Sequence, residues 1–138
     1  METVEKQQRL RGYSVMNFKN MSERKKEKLA TSSKTEKDVL RYLSKDNWKN
    51  SRVRRMVAWN PSTPVDVLQT LATDFSYLVR GAVARNPRTS PKLLIMLFEW
   101  EKSYTTAADE YVIKALYLNA KFPIGIKRVI ETLYGEML

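Results

Sequence analysis

Between Val53 and Leu97 the apolar and polar positions run through one order twice. Val53-Arg54-Arg55-Met56-Val57-Ala58-Trp59-Asn60-Pro61-Ser62-Thr63 returns 26 residues later as Val79-Arg80-Gly81-Ala82-Val83-Ala84-Arg85-Asn86-Pro87-Arg88-Thr89. The shared skeleton V-R-x-x-V-A-x-N-P-x-T continues without a gap to Leu68 against Leu94 and Leu71 against Leu97, with nine identities in twenty positions. A period of about 20 to 50 residues marks units that cannot bury their own apolar face and must stack on their neighbours. The pattern therefore predicts an all-α fold, a short helical solenoid of about three repeats.

Half of the same grammar stands upstream. Thr35, Asp38, Val39, Leu40, Leu43 and Asp46 match Thr63, Asp66, Val67, Leu68, Leu71 and Asp74 in spacing. Val39, Leu40 and Leu43 have the i, i+1, i+4 spacing of a buried helical face. Thr35 and Thr63 read as N-caps, with Pro64 at the first helical position, where a missing N–H is harmless; Ser90 and Pro91 repeat this one residue later. Each unit is then expected to hold a longer helix starting at Thr/Ser-Pro and a shorter one starting near Val-Arg. Asn-Pro should end the shorter helix, because a residue before proline is driven out of the helical region.

Beyond Leu97 the pattern loosens. Tyr111 to Pro123 aligns with the second repeat at an offset of 33, keeping Val112, Ala115 and Asn119. The extra residues fall between Glu99 and Asp109, beside Trp100, Tyr104, Thr105 and Thr106, and insertions of this kind map to one edge of a repeat array. Ile126, Val129, Ile130 and Leu133 lie on one face of a last helix, Ile124 to Tyr134, which is expected to close the C-terminal end, with Lys127 and Arg128 on its other face. Ahead of the repeats, residues 1–34 read as a separate basic arm or cap, and 35–138 as the repeat domain. In the arm, Ser22 can cap a polar helix from Glu23 to Leu29. Val15, Met16 and Phe18 are candidates to cover the first repeat, and Thr31 to Lys34 is expected to be a flexible joint.

The phrase V-R-x-x-V-A-x-N-P-x-T-P-x-x-[LV]-L-x-x-L-A-x-D resembles the leucine-rich repeat variant, a short helical repeat akin to HEAT and armadillo repeats. The resemblance covers Thr35 to Leu97 well and Tyr111 to Leu133 weakly. It implies an α-helix paired with a shorter, often 3₁₀, helix in a right-handed superhelix. Some members carry a cysteine-rich iron-sulfur module, which a chain without cysteine cannot form. The family has no common activity; its HEAT-like relatives include protein scaffolds and DNA-repair proteins that grip duplex DNA on a basic concave face.

Composition narrows the chemistry. With neither Cys nor His among 138 residues, thiolate nucleophiles, disulfides, ordinary structural zinc, imidazole acid/base catalysis and Ser-His-Asp arrangements are excluded. Asp109 and Glu110 are the only adjacent carboxylates near an aromatic segment, and nothing pairs them at a catalytic spacing, so no enzyme, cofactor or small-molecule substrate is expected. Apolar runs are too short to span a bilayer, and a cytoplasmic location is expected. The net charge of +10 is unevenly spread: residues 1–34 contribute nine basic and four acidic side chains, half of the excess in a quarter of the chain. Such an excess attracts phosphate polymers or acidic partners.

Some charges follow the repeat geometry. Arg54 and Arg80 share one repeat position, with Asp46 and Asp74 eight and six residues before them; an Asp-Arg ladder between helices is the structural expectation. Ala58, Ala84 and Ala115 should allow close helix packing, and Trp59 should be half-buried. The candidate phosphate contacts are Arg88 and Lys121 just after Asn86 and Asn119, Arg85 and Lys92 near the same edge, Arg52 and Arg55 flanking Arg54, Lys127 and Arg128 on the last helix, and Lys25 and Lys26 in the arm. Nucleic acid bound through its phosphate backbone is the first expected partner, and an acidic protein the alternative.

Overall fold

The structure is a computed structural model. It describes Phe18 and residues 20–46, 49–103 and 107–138, with backbone alone at 107–109. Among these residues the fold is all helical and has no strand. Helix α1 spans Glu23–Thr31, α2 Lys37–Leu43, α3 Arg52–Trp59, α4 Val65–Leu71, α5 Tyr77–Arg85, α6 Pro91–Glu101, α7 Ala107–Leu118 and α8 Ile124–Tyr134, followed by a 3₁₀ turn at Gly135–Met137. Helices α1, α3, α5 and α7 pack one upon the next as a first layer. In the second layer α2, α4 and α6 each contact the first-layer helices before and after them, and α8 lies on α7.

The i, i+4 pairs Val53/Val57, Val79/Val83 and Val112/Leu116 of the first layer are fully buried, and so are Leu40, Leu43, Leu68, Leu71, Leu94 and Leu97 of the second-layer helices that pack on it. The Val57 and Val83 carbonyls each accept from the threonine hydroxyl six residues on, Thr63 and Thr89. Ala58, Ala84 and Ala115 are buried as well, so that first-layer backbones can approach closely.

The asparagines that end α3, α5 and α7, the first two followed by proline, hold the first layer in register. Asn60 Nδ2 donates to the carbonyls of Ala30 (2.7 Å) and Ser32 (2.9 Å). Asn86 Nδ2 donates to Ala58 (2.7 Å) and Asn60 (3.0 Å), and Asn119 Nδ2 to Ala84 (2.7 Å) and Asn86 (3.4 Å). Each Oδ1 accepts from the N–H two residues on, at Ser62, Arg88 and Lys121. One buried amide therefore shapes its own turn and satisfies the carbonyls left open at the end of the preceding first-layer helix. Because equivalent ends meet, the first-layer helices run parallel. As the Asn-Pro pairs predict, α3 and α5 stop at Trp59 and Arg85, and Asn60 and Asn86 are extended (ψ 124° and 125°).

The threonines act differently from expectation. Thr35, Thr63 and Thr89 do not cap the following helices; their hydroxyls donate back to the carbonyls of Leu29, Val57 and Val83, at 2.5, 2.5 and 2.6 Å. Glu36 and Pro64 take the N-cap positions without a side-chain bond, so Pro64 is one residue ahead of its expected place. Of the caps expected within the repeats, Ser90 alone forms, accepting from the Leu93 amide with Pro91 next to it. The expected long and short helices are also exchanged in the middle of the chain: α2 and α4 have seven residues, α3 eight and α5 nine. The threonine and proline are consumed in closing the turn, which delays the start of the second helix.

The ion pairs point forward along the chain. Arg54 Nε and Nη2 clasp both oxygens of Asp74 at 2.8 and 3.0 Å, Arg80 clasps Glu101, and Lys26 Nζ reaches Asp46 at 2.8 Å. The expected partners contribute main chain instead: Asp46 O accepts from Arg54 and Asp74 O from Arg80. Hydrogen bonding to Asp74 holds the Arg54 guanidinium above its ordinary pKa, and Asp46 does the same for the Lys26 ammonium. A raised folded-state pKa stabilises below the unfolded value and fails only as pH climbs through the folded one, here in strong alkali.

These bonds bring part of the expected arm into the same packed body. Ser22 caps α1 as anticipated, accepting from the Lys25 amide, and α1 packs on α3. Lys26, Ala30 and Thr35 stand 28 residues before Arg54, Ala58 and Thr63 and make the same kinds of contact. The joint at Thr31 to Lys34 is tied down by Asn60, and by Ser62 Oγ donating to Ser33 O. Phe18 is buried and stacks on Tyr42 at 4.2 Å; Val15 and Met16 lie outside the described residues, as do Tyr104, Thr105 and Thr106. At the other end α8 buries Ile130 and part of Ile126, but Val129 and Leu133 are exposed, Leu133 at 65%. The stripe expected to close the end is only half used.

Candidate nucleic-acid interface

Charge divides between the layers. The second-layer helices hold five basic residues (Lys37, Arg41, Lys92, Lys127, Arg128) and five acidic ones (Asp38, Asp66, Glu99, Glu101, Glu131). Several are paired: Arg41 bonds Asp66 and Asp38 at 3.0 Å, and this holds the Asp66 carboxyl below its ordinary range. The first layer carries ten basic residues (Arg24, Lys25, Lys26, Lys28, Arg52, Arg54, Arg55, Arg80, Arg85, Lys114) against four acidic ones (Glu23, Glu27, Asp109, Glu110). Helices α3 and α5 contain no carboxylate at all.

On the outward side of this layer, cations and rings alternate. Trp59 is 49% exposed at the end of α3. The Arg85 guanidinium lies 5.7 Å from its ring centroid and 5.6 Å from that of Tyr111 on α7. Tyr77 meets Tyr111 edge-on at 5.6 Å. Arg52, Arg55 and Lys114 are exposed on the same helices; Arg52 bonds Glu27 at 2.9 Å, and among the described residues no carboxylate bonds the side chain of Arg55 or Lys114.

Gly81 makes this arrangement possible. It occupies the repeat position of Arg55 and Lys114, but a Cβ there would overlap the Tyr111 ring. A glycine inside a helix costs about 1 kcal/mol relative to alanine, and here the missing side chain is the seat for the tyrosine. Gly81→Ala is expected to leave the unfolding midpoint within a few degrees of the parent, since helix propensity offsets the displaced ring. The Tyr111 contribution to the ring-current shift on the Arg85 guanidinium protons should be lost while that of Trp59 remains, which NMR would detect.

A second row of cations follows the turns. Arg88 and Lys121 hold equivalent places after Asn86 and Asn119 and are exposed, and Lys34 holds that place after Ser32. Ser62 is the exception, its hydroxyl engaged by Ser33. Arg52, Arg55, Arg85, Arg88 and Lys121 therefore lie on one side of the first layer or at its turns, while the remaining expected contacts are placed elsewhere. Lys26 is buried against Asp46 and Glu23, so the site it was expected to serve loses it to the core. Lys25 is exposed on α1. Lys92 is exposed on α6, at the rim of a groove of about 370 Å³ lined also by Ala72, Leu93, Met96 and Trp100. Lys127 stands over the Tyr117 ring at 5.6 Å, with Arg128 exposed beside it on α8.

Sequence reasoning did not select Lys34, Lys114, Tyr77 or Tyr111. Lys34 and Lys114 were accessible to it, since offsets of 28 and 33 put them in the columns of Ser62 and Arg55. Tyr111 carried no signal, because its seat is an absence of side chain one repeat earlier. Among the described residues no cluster of acidic side chains could hold a metal, and no helix is long and apolar enough to cross a membrane. No protein-family model, curated protein or solved structure matches the chain.

Proposed function

We propose that this chain is a short right-handed helical solenoid, without catalytic activity, that binds nucleic acid through the phosphate backbone along the outward side of α3, α5 and α7. Its kinship with the leucine-rich repeat variant belongs to the same proposal. One observation carries it: Arg55, Arg85 and Lys114 stand exposed on neighbouring first-layer helices, with Arg88 and Lys121 exposed at the turns that follow, and among the described residues no carboxylate bonds any of the five. A merely solubilising surface would intersperse both signs of charge. Arg55, Arg85, Lys114, Arg88 and Lys121 form the contact set, joined by Arg52 once it exchanges its bond to Glu27 for one to phosphate, and the Arg54 and Arg80 ion pairs supply the rigid frame behind it.

Phosphate contacts release condensed counterions, so affinity falls with salt in proportion to their number. Six contacts give a log-log slope of about −5 for duplex and about −4 for a single strand. Fluorescence anisotropy with labelled oligonucleotides across a salt series is the test. Arg55→Ala, Arg88→Ala and Lys121→Ala should each weaken binding to every sequence alike and reduce the slope by nearly one. Absence of binding at low salt refutes the proposal and leaves an acidic protein as the occupant of this face.

A further inference from the structure

We infer that the preferred ligand of this face is single-stranded nucleic acid, whose bases stack on the exposed rings of Trp59 and Tyr77, with Tyr111 packed between them as their support. The inference rests on the phosphate-binding function proposed above and specifies its substrate. In a duplex the bases are stacked inside and the outer surface is sugar and phosphate, so exposed rings in the middle of a cationic face would gain little from it. A single strand presents base faces, and stacking on aromatic side chains tolerates any sequence because every base has a π-face. A positive groove interleaved with aromatic rings is the arrangement that such binding requires.

The rings are held in place before any ligand arrives. Tyr111 rests on the Cβ-free surface of Gly81, meets the edge of Tyr77 at 5.6 Å, and is overlaid by the Arg85 guanidinium, which is also 5.7 Å from Trp59. One cation thus links rings from α3 and α7 across α5, and a guanidinium can donate to a phosphate while it remains beside aromatic rings. Such prior ordering reduces the entropy lost on binding. Packed helix axes lie about 8–10 Å apart, roughly the rise of three stacked nucleotides at about 3.4 Å each. Successive rings can then engage bases of one strand while Arg55, Lys114 and the turn cations follow its backbone.

Anisotropy titrations with oligothymidine, oligouridine and a duplex of equal length test this. The single strands are expected to bind at least about tenfold more tightly than the duplex. Trp59→Ala and Tyr77→Ala should each lose about five- to a hundredfold in single-strand affinity with the salt slope unchanged, because no cation is removed. Gly81→Ala should act in the same direction, and far-UV circular dichroism confirms that each variant is folded. Equal affinity for oligothymidine and oligouridine assigns the site to single strands in general; where one is preferred, oligodeoxyuridine, which has the base of one and the sugar of the other, separates the 2′-hydroxyl from the thymine methyl. If the duplex binds as well as the single strands and Trp59→Ala is silent while Arg55→Ala still weakens binding, stacking is wrong and the phosphate function stands. If no oligonucleotide binds at low salt, both fail.

Discussion

Replacing Arg54 with Met is expected to lower the unfolding free energy by about 3–5 kcal/mol, the range for breaking a buried ion pair by removing one partner. The Arg54 and Asp74 side chains are only 8% and 10% exposed, and the guanidinium also serves the carbonyls of Asp46 and Asn50. Methionine fills most of the volume but leaves a carboxylate and those two acceptors without their donor. The double variant Arg54→Met with Asp74→Leu should recover part of the loss, since it removes the stranded charge. Recovery stays incomplete because Asp74 Oδ1 also accepts from the Ser76 amide at 2.9 Å. Urea unfolding at constant m-value measures both. If the single and double variants lose equal stability, the pair is not the coupling between α3 and the turn after α4.

That ladder indicates where the chain was legible and where it was not. Alternation of Val-Arg with Asn-Pro-x-Thr predicts helices, their ends and stacked layers, because these features depend on neighbours within one turn. The partners of Arg54 and Arg80 lie 20 and 21 residues ahead, across a helix whose length local pattern does not determine, and the nearer aspartates were the natural misreading. Thr63 was ambiguous for a similar reason: the same hydroxyl can cap the next helix or close the previous turn, and the choice depends on whether the Val57 carbonyl is otherwise satisfied. Helix α1 was hard to recognise as a repeat because Ser32 stands where Asn60 and Asn86 do, leaving Lys26, Ala30 and Thr35 as its marks. On the candidate face, the cations of α3 and the turns were legible as a column, whereas the seating of Tyr111 on Gly81 becomes visible only once α5 and α7 are in contact.

Asn86→Asp should be as damaging as loss of the ladder, although it changes one atom. The buried Asn86 amide donates to Ala58 O and Asn60 O and accepts from Arg88 N. A carboxylate keeps the acceptor but turns both donors into a negative charge facing two carbonyl oxygens, with burial opposing ionisation as well. The expected loss at neutral pH is about 3–5 kcal/mol. Burial and the carbonyl dipoles raise the folded-state pKa of the new acid, so its penalty applies as pH rises above the ordinary carboxylate range. It shrinks on acidification, when a protonated acid can donate to one carbonyl. Asn86→Ala, with unsatisfied carbonyls but no charge, should lose about 1–3 kcal/mol with no such pH dependence. Thermal unfolding of both variants from mildly acidic to neutral pH distinguishes them: parallel curves would mean that the turn opens to water, and that Asn86 does not hold α3 and α5 in register. Since Arg85 and Arg88 flank this amide, a folded Asn86→Ala protein should also bind oligonucleotides more weakly with every cation still present.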